Sequence, residues 1–177
     1  MSRRVLLGVT GSIAAYKAAE LARLLVRGGD EVSVVMTPAA TKFVSPLTFQ
    51  TLSKRPVFVD QFAAPSEWRP EHISLSECDL ALVAPATANT LAKLRFGIAD
   101  NLLLSTLLAT RAPIYVAPAM NSGMWEAAAT QENVAALRAR GVRVIGPAEG
   151  ELACGASGSG RLAPVEEIFS VVGREAT

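Results

Sequence analysis

Short apolar runs alternate with stretches of helical spacing along most of the chain, and this alternation restricts the fold more than any other feature. The runs fall at residues 5–9, 32–36, 80–84, 114–117 and 142–145. A strand that is apolar throughout is typical of a parallel sheet with both faces covered. Between the runs, apolar residues recur at helical intervals, as Ala14, Ala18, Leu21 and Leu25 do. The pattern predicts an α/β fold with a mostly parallel sheet and right-handed crossovers.

The intervening stretches predict the helices and loops of one domain, residues 1–177. Helices are expected at residues 13–27, 39–43, 45–52, 73–77, 87–96, 101–110 with Asp100 as the cap, 126–140 and 165–172. The segment 101–110 has no charged residue, so it must be buried in the core or against another subunit. Residues 60–71 and the glycine-rich stretch 149–161 are expected to be loops.

Composition excludes several functional classes. The net charge is +1 with both signs scattered, which disfavours a nucleic-acid partner or an anionic membrane surface. The two cysteines, Cys78 and Cys154, form no CxxC pair, so we expect a reducing, cytoplasmic compartment, no disulfide framework and no metal site. No apolar run is long enough to span a membrane, and Tyr16, Lys17 and Glu20 continue the apolar N-terminal run as a helix. Half of the residues are hydrophobic, so partners are expected to cover part of the surface.

The turn after the first strand, GVTGS, is a candidate phosphate site. Gly11 would let the backbone approach an anion, Ser12 adds a hydroxyl, and the N-terminus of the next helix carries partial positive charge. An ordinary strand-to-helix connection is an equally good interpretation. There is no GK[ST] sequence, which excludes a P-loop. The second strand ends in Met36 and Thr37 rather than in an Asp or Glu that would bind the ribose of a dinucleotide. FMN therefore fits better than NAD, with Thr37 as a hydroxyl donor.

Two further loops follow strands that end in proline, and each carries polar side chains. The first, after Pro85, contains Thr87, Ala88, Asn89 and Thr90, which could bind a ligand or simply cap a helix. The second is APAMNSGMW at residues 117–125, where the amide of Asn121 lies in a mostly apolar neighbourhood. Its alternative interpretation is an ordinary loop with Trp125 in the core. Parallel sheets bind ligands at this carboxyl edge.

Three residues outside these loops are further candidates. His72, the only histidine, sits where a loop meets a turn of helix and could be structural or catalytic. Cys154 lies at the centre of a glycine-rich stretch that could close over a ligand or be a plain linker, and Arg161 could offer positive charge to an anion. Cys78 is most simply a small buried hydrophobe.

Taken together, GVTGSIAAYK, His72-Ile73, APATANTLAKLRFGIADNLL, APAMNSGMW and LACGASGSGR resemble the homo-oligomeric flavin-containing cysteine decarboxylases, in particular those of coenzyme A biosynthesis. The resemblance implies a Rossmann-like, doubly wound sheet in three α/β/α layers. It implies an FMN-dependent carboxy-lyase that converts 4'-phospho-N-pantothenoylcysteine to 4'-phosphopantetheine. It also implies a trimer, or a dodecamer of trimers, with FMN near a subunit interface. The synthetase that makes the substrate would be either fused or separate.

The resemblance also implies roles for individual residues. Gly11, Ser12 and Ile13 would hold the FMN phosphate with Thr37 nearby, and the rest of the flavin would be contacted by Thr87, Ala88, Asn89, Thr90 and Ala119. His72 would be the catalytic base, and the substrate would be bound by Asn121, Met124, Ala153 and Arg161. The substrate thiol would be oxidised by FMN, CO2 would leave to give an enethiol, and the enethiol would be reduced with Cys154 as proton donor.

Other functions share parts of this pattern. A peptidyl-cysteine decarboxylase of the lantibiotic type would have the PAMN block but would not need Cys154. A flavin prenyltransferase would lack the PAMN block. A non-enzymatic, FMN-binding regulatory subunit would not require His72, Asn121 and Cys154 together, and all three are present.

Overall fold

The computed structural model describes residues 2–62, 70–151 and 157–173. Within this part of the chain, six parallel strands form one sheet in the order β3-β2-β1-β4-β5-β6. The strands are β1 (Arg4–Val9), β2 (Glu31–Met36), β3 (Val57–Phe58), β4 (Leu80–Ala86), β5 (Ile114–Pro118) and β6 (Arg143–Val144). The helices are α1 (Ala15–Arg27), α2 (Pro46–Ser53), α3 (Glu71–Ser76), α4 (Ala88–Phe96), α5 (Leu102–Ala109), α6 (Ser122–Glu126), α7 (Ala128–Ala139) and α8 (Val165–Gly173), with a 3-10 turn at Ala40–Lys42.

Helices cover both faces of the sheet because alternate residues of each strand point to opposite sides. In β1, Leu7 and Val9 pack in the core beneath α1, α2 and α8, whereas Leu6 packs in the core beneath α3, α4, α5 and α7. Every described position of β4 is buried, as expected for a strand at the centre of a covered parallel sheet. The predicted three-layer, doubly wound fold is confirmed.

The charge-free helix α5 belongs mostly to the core of its own chain. Leu102, Leu103, Leu104 and Leu107 are all buried, and of its large apolar side chains only Leu108 is exposed. Its N-cap is Asn101 rather than the predicted Asp100: Asn101 Oδ1 accepts a hydrogen bond from the Leu104 amide at 3.0 Å, while Asp100 pairs with Lys93. Burial in the core of its own chain therefore explains why α5 has no charged residue, and a subunit contact is not needed to explain it.

Three predicted helices differ from the observed ones by two residues at their start. The first helix starts at Ala15 instead of residue 13, because residues 12–14 form a turn in which the Ala15 amide donates to the Ser12 carbonyl. The predicted helix 126–140 corresponds to α7, which starts at Ala128, because Glu126 ends the preceding helix α6 and Ala127, with a ψ of 132°, is extended. The helix before β4 begins earlier than predicted, at Glu71, so that it includes His72.

Strands were missed in two places. The short β3 pairs with β2 at the sheet edge, with Val57 opposite Val34. The glycine-rich stretch predicted as a loop contains two antiparallel strands, β7 (Ala148–Glu151) and β8 (Ser157–Arg161), which form a hairpin outside the main sheet. Serine and glycine have low strand propensity, so local sequence did not indicate β8. Residues 152–156, including the predicted site residues Ala153 and Cys154, lie outside the described residues.

The strand order places a crevice between β1 and β4. From β1 the chain proceeds outward to β2 and β3, and then returns to β4 on the other side of β1 before continuing to β5 and β6. The loops after β1 and β4 therefore diverge at this switch point, where open α/β sheets bind their ligands. No helix in the described ranges is long and apolar enough to cross a membrane.

Candidate functional site

A cavity of about 660 Å³ opens at the switch point, at the carboxyl ends of β1, β4 and β5. Its walls come from the β1–α1 turn, the β4–α4 loop, the β5–α6 loop and the end of β8. Its volume lies within the range of about 300–1,000 Å³ typical of ligand pockets. The lining residues are Gly11, Ser12, Ile13, Ala14, Tyr16, Lys17, Thr87, Ala88, Ala119, Met120, Asn121, Met124, Gly160, Arg161 and Leu162.

The first wall is the turn that leads into α1. The Ser12 amide donates to the Thr10 carbonyl at 2.8 Å, and Ser12 Oγ accepts from the Ala14 amide at 3.3 Å. Gly11 is required by packing, since a Cβ on it would lie 2.5 Å from the Ala39 Cβ. The N-terminus of α1 thus faces the cavity, where its partial positive charge favours an anion.

The second wall is the start of α4, where Thr87 is both a lining residue and a helix cap. Thr87 Oγ1 accepts from the Thr90 amide at 3.3 Å and lies 3.0 Å from the Thr90 hydroxyl. Thr90 itself is buried, and Asn89 is exposed, and neither lines the cavity. Of the four predicted loop residues, Thr87 and Ala88 reach the cavity, and the capping interpretation applies to Thr87 and Thr90.

The third wall is the β5–α6 loop with Asn121. Asn121 Oδ1 accepts from the Gly123 amide at 2.9 Å and so caps α6. With Oδ1 in this cap, the NH2 group is the donor that the side chain can present to a carboxylate. Ala119 is buried behind the loop, Met124 is half exposed beside Asn121, and Trp125 packs partly against the core.

The fourth wall is β8, which docks on the third wall through glycines. The Met120 amide donates to the Gly160 carbonyl at 2.9 Å. A Cβ on Gly160 would lie 2.4 Å from the Met120 carbonyl oxygen, and one on Gly158 would lie 2.4 Å from Ser122 Oγ. Arg161 follows directly, with its guanidinium near Gly150 of β7. The hairpin therefore depends on glycine at these positions to bring Arg161 to the cavity.

The charge of the cavity is positive. Among the lining residues that the structure describes, Lys17 and Arg161 are charged and none is acidic. The ammonium of Lys17 lies 6.0 Å from the centre of the Tyr16 ring. Lys17 and Tyr16 were not predicted as site residues, although their place in the first turn of the helix after GVTGS could have indicated them. The lining thus suits an anionic ligand with a large apolar surface.

Two further predicted site residues, Thr37 and His72, lie outside this lining. Thr37 follows β2, its amide donates to the Val9 carbonyl at 3.0 Å, and its Oγ1 accepts from the Ala40 amide, so it sits beside the end of β1. His72 is half-buried in α3, which packs against α5 on the opposite face of the sheet from α1. Within a single chain, His72 therefore does not contact the cavity.

Cys78 lies at the opposite end of the sheet from the cavity, and its position is consistent with a structural role. Its Sγ is 3.6 Å from Thr110 Oγ1, and the side chain packs partly against the core of α3 and α5. Burial raises the pKa of the Cys78 thiol, which keeps it protonated and unreactive at neutral pH.

Comparison with known proteins identifies the family. The flavoprotein family model matches residues 1–177. The chain is 46% identical over 175 residues to the probable phosphopantothenoylcysteine decarboxylase of Streptococcus mutans, covering 97% of this chain and 98% of the relative. It is 48% identical over 161 residues, 90% of its own length, to the coenzyme A biosynthesis bifunctional protein CoaBC of Vibrio parahaemolyticus, but covers only 40% of that relative. The chain belongs to the flavoprotein family.

Solved structures with the same fold show which members of the flavoprotein family the chain is similar to. A PPC decarboxylase mutant complexed with pantothenoylaminoethenethiol superimposes with a TM-score of 0.90 at 31% identity, covering 99% of both chains. The FMN-dependent cysteine decarboxylase SpaF superimposes with a TM-score of 0.84 at 31% identity, covering 99% of this chain and 98% of SpaF. Within the flavoprotein family the chain is thus similar to decarboxylases of cysteine derivatives.

Proposed function

We propose that the chain is an FMN-dependent decarboxylase that converts 4'-phospho-N-pantothenoylcysteine to 4'-phosphopantetheine in coenzyme A biosynthesis. The single observation that carries the proposal is the cavity at the switch point of a flavoprotein sheet. Among the lining residues that the structure describes, Lys17 and Arg161 are charged and none is acidic, so the cavity is positive. The similarity of the chain to the Streptococcus mutans relative, over nearly the full length of both, supports the choice of substrate. In this proposal residues 1–177 are one cytoplasmic FMN-binding domain.

The donor set of the cavity fits FMN. The phosphate would be held at the N-terminus of α1 by Gly11, Ser12 and Ile13, with Lys17 supplying charge. Thr87, Ala88 and Ala119 would contact the rest of the flavin, and Thr37, Asn89 and Thr90 would support these contacts from outside the lining. Bound FMN can accept a hydride from the substrate and return it, which makes loss of CO2 from a cysteine derivative possible.

The third and fourth walls would bind the substrate. Asn121 would donate its NH2 group to the substrate carboxylate, next to the apolar side chain of Met124. Arg161 would attract the negatively charged substrate to the same opening. Ala153, from the preceding segment, would be a further substrate contact. The carboxylate would thereby be oriented for departure in a mostly apolar environment.

Proton transfers would be the task of His72 and Cys154. A neutral imidazole can take the proton of the substrate thiol, and a cysteine thiol can deliver one to the enethiol carbon. His72 does not line the cavity of its own chain. In this proposal an assembly of chains brings His72 of one subunit to the cavity of another.

Exposed apolar side chains support such an assembly. Three large apolar side chains are exposed: Phe96 (65%), Ile98 (47%) and Leu108 (61%). Leu108 lies near Gly97, the residue between Phe96 and Ile98 in the sequence. A cluster of large apolar side chains in solvent is typical of a protein interface. We expect a trimer, or a dodecamer built from trimers, and a synthetase partner that is either fused to relatives of this chain or separate from it.

Incubation with 4'-phospho-N-pantothenoylcysteine tests the proposal. The purified protein should be yellow, release FMN on denaturation, and produce CO2 and 4'-phosphopantetheine, as measured by absorbance and mass spectrometry. An enethiol as the final product would indicate a peptidyl-cysteine decarboxylase type of reaction instead. Bound FMN without any turnover would indicate a regulatory FMN-binding protein.

A further inference from the structure

Thr10, the residue that follows β1, makes two side-chain hydrogen bonds to the β4–α4 segment, one of them buried and the other partly buried. Its side chain is almost fully enclosed, with the residue 1% exposed. Thr10 Oγ1 donates to the carbonyl of Pro85 at 2.7 Å and accepts from the amide of Thr87 at 3.1 Å. The hydroxyl therefore acts as a donor to one backbone group and as an acceptor from another, and both groups lie at the end of β4.

This arrangement connects β1 to β4 beyond the end of their regular pairing. The parallel pairing between β1 and β4 runs from Val5 opposite Leu80 to Gly8 opposite Val83. Beyond that point comes Pro85, which has no N–H to contribute to a ladder. A buried carbonyl or amide without a partner costs about 1–3 kcal/mol. The Thr10 hydroxyl satisfies one carbonyl and one amide where regular pairing stops.

The two connected segments are two walls of the cavity. Thr10 is followed immediately by Gly11 and Ser12 of the first wall. Thr87 belongs to the second wall and caps α4 with its own side chain. A single hydroxyl therefore holds the first wall against the second at the base of the cavity.

We propose that Thr10 is a positioning residue that sets the spacing between these two walls for the flavin. This inference rests on the proposed FMN cofactor. Thr10 does not line the cavity; it acts through the Thr87 amide and the turn at Gly11. A threonine is suited to this place because its hydroxyl both donates and accepts while its methyl group fills a buried site.

Three variants test the proposal. Thr10→Val keeps the shape and removes both hydrogen bonds, and Thr10→Ser keeps the hydroxyl. The matched control is Thr106→Val in α5, because Thr106 is equally buried, its hydroxyl donates to the Leu102 carbonyl at 2.8 Å, and neither residue is part of the cavity lining. FMN dissociation constants come from flavin fluorescence titration of the apoproteins. Hydrogen–deuterium exchange reports on the Thr87 amide without any flavin.

We expect Thr10→Val to raise the FMN dissociation constant about tenfold and to speed exchange of the segment containing Thr87. Thr10→Ser should restore most of the affinity, and Thr106→Val should lower stability while leaving the affinity within about twofold of wild type. If wild type binds FMN and Thr10→Val binds it equally well, the role of Thr10 is wrong although the cofactor is right. If wild type takes up no FMN, the proposed cofactor fails and the role of Thr10 fails with it. Should Thr10→Val not fold, unimpaired flavin binding by Thr10→Ala would overturn the inference.

Discussion

The backbone amide of Met120 donates a hydrogen bond to the carbonyl of Gly160 at 2.9 Å, so the outer hairpin is fastened directly to the loop that carries Asn121. The contact is possible because Gly160 adopts φ of +134° and has no side chain to meet the Met120 carbonyl oxygen. Ala119 on the same loop donates to the Ala86 carbonyl at 3.1 Å. The second, third and fourth walls of the cavity are thus connected through backbone hydrogen bonds.

We expect Gly160→Ala to loosen the hairpin and reduce turnover. The new Cβ would lie 2.4 Å from a backbone oxygen, so the two segments must separate. The control is Gly141→Ala, because Gly141 also has a positive φ but nothing within 4 Å of an added Cβ. Gly141→Ala should cost about 1 kcal/mol of unfolding free energy from backbone strain alone. Gly160→Ala should cost more and also raise KM; equal effects of the two variants on KM would show that the docking contact is not needed.

His72→Asn should retain FMN and lose decarboxylation. Asparagine keeps a hydrogen-bonding side chain on α3 but cannot act as a base near neutral pH. Loss of a general base typically lowers the rate about 100- to 10,000-fold. The flavin absorbance of the purified variant controls for folding, and CO2 release measures turnover. Near-normal turnover with full flavin content would make His72 a structural residue.

Cys154→Ser should stop the reaction after CO2 has left. A serine hydroxyl is a far weaker acid than a thiol, whose reference pKa is about 8.5, so the enethiol would not receive its proton. The product should lack two hydrogens relative to 4'-phosphopantetheine, as read by mass spectrometry under anaerobic conditions. The other cysteine provides the control: Cys78→Ser should leave the product unchanged. Formation of saturated product by Cys154→Ser at the wild-type rate would exclude Cys154 as the acid.

Replacing exposed apolar residues should weaken the assembly. Light scattering of the FMN-bound wild type should give a trimer or a multiple of three. The double variant Phe96→Ser with Leu108→Ser removes the two most exposed side chains of the cluster around Gly97, and it should shift the mass toward the monomer. Leu47→Ser is the control, because Leu47 is 66% exposed and lies on α2, on the opposite face of the sheet from α4 and α5. A wild-type monomer at micromolar concentration would contradict the expected interface.

A mixed-subunit experiment tests whether His72 serves a neighbouring chain. His72→Asn and Asn121→Asp subunits are each expected to be inactive alone. If the two residues act in one cavity but come from different chains, mixed oligomers regain part of the activity, since some cavities contain neither substitution. Mass spectrometry of the mixed oligomers confirms subunit exchange. Complete inactivity of confirmed mixtures would place His72 and Asn121 in the same chain's site.

The sequence by itself determined the layers of the fold and the edge where the site lies. Short apolar runs such as β1 and β4, each followed by a stretch of helical spacing, predict strands buried on both faces, so helices are expected to cover the sheet. Parallel strands end at one edge, which brought Ser12, Thr87 and Asn121 together without knowledge of any distance. These inferences need only local periodicity and the rule that ligands bind at this edge.

Only the tertiary structure decided how the walls of the cavity are held together and which residues face it. The hairpin β7–β8 has weak local propensity and forms because Gly158 and Gly160 allow close backbone approach to a loop distant in sequence. Thr10 is an ordinary turn residue until the strand order places it against Pro85 and Thr87. Likewise, the uncharged α5 could be assigned to the chain's own core, and His72 could be placed outside the lining, only when the sheet was assembled. Local sequence encodes periodicity and capping, whereas contacts between segments far apart in sequence depend on how the whole chain packs.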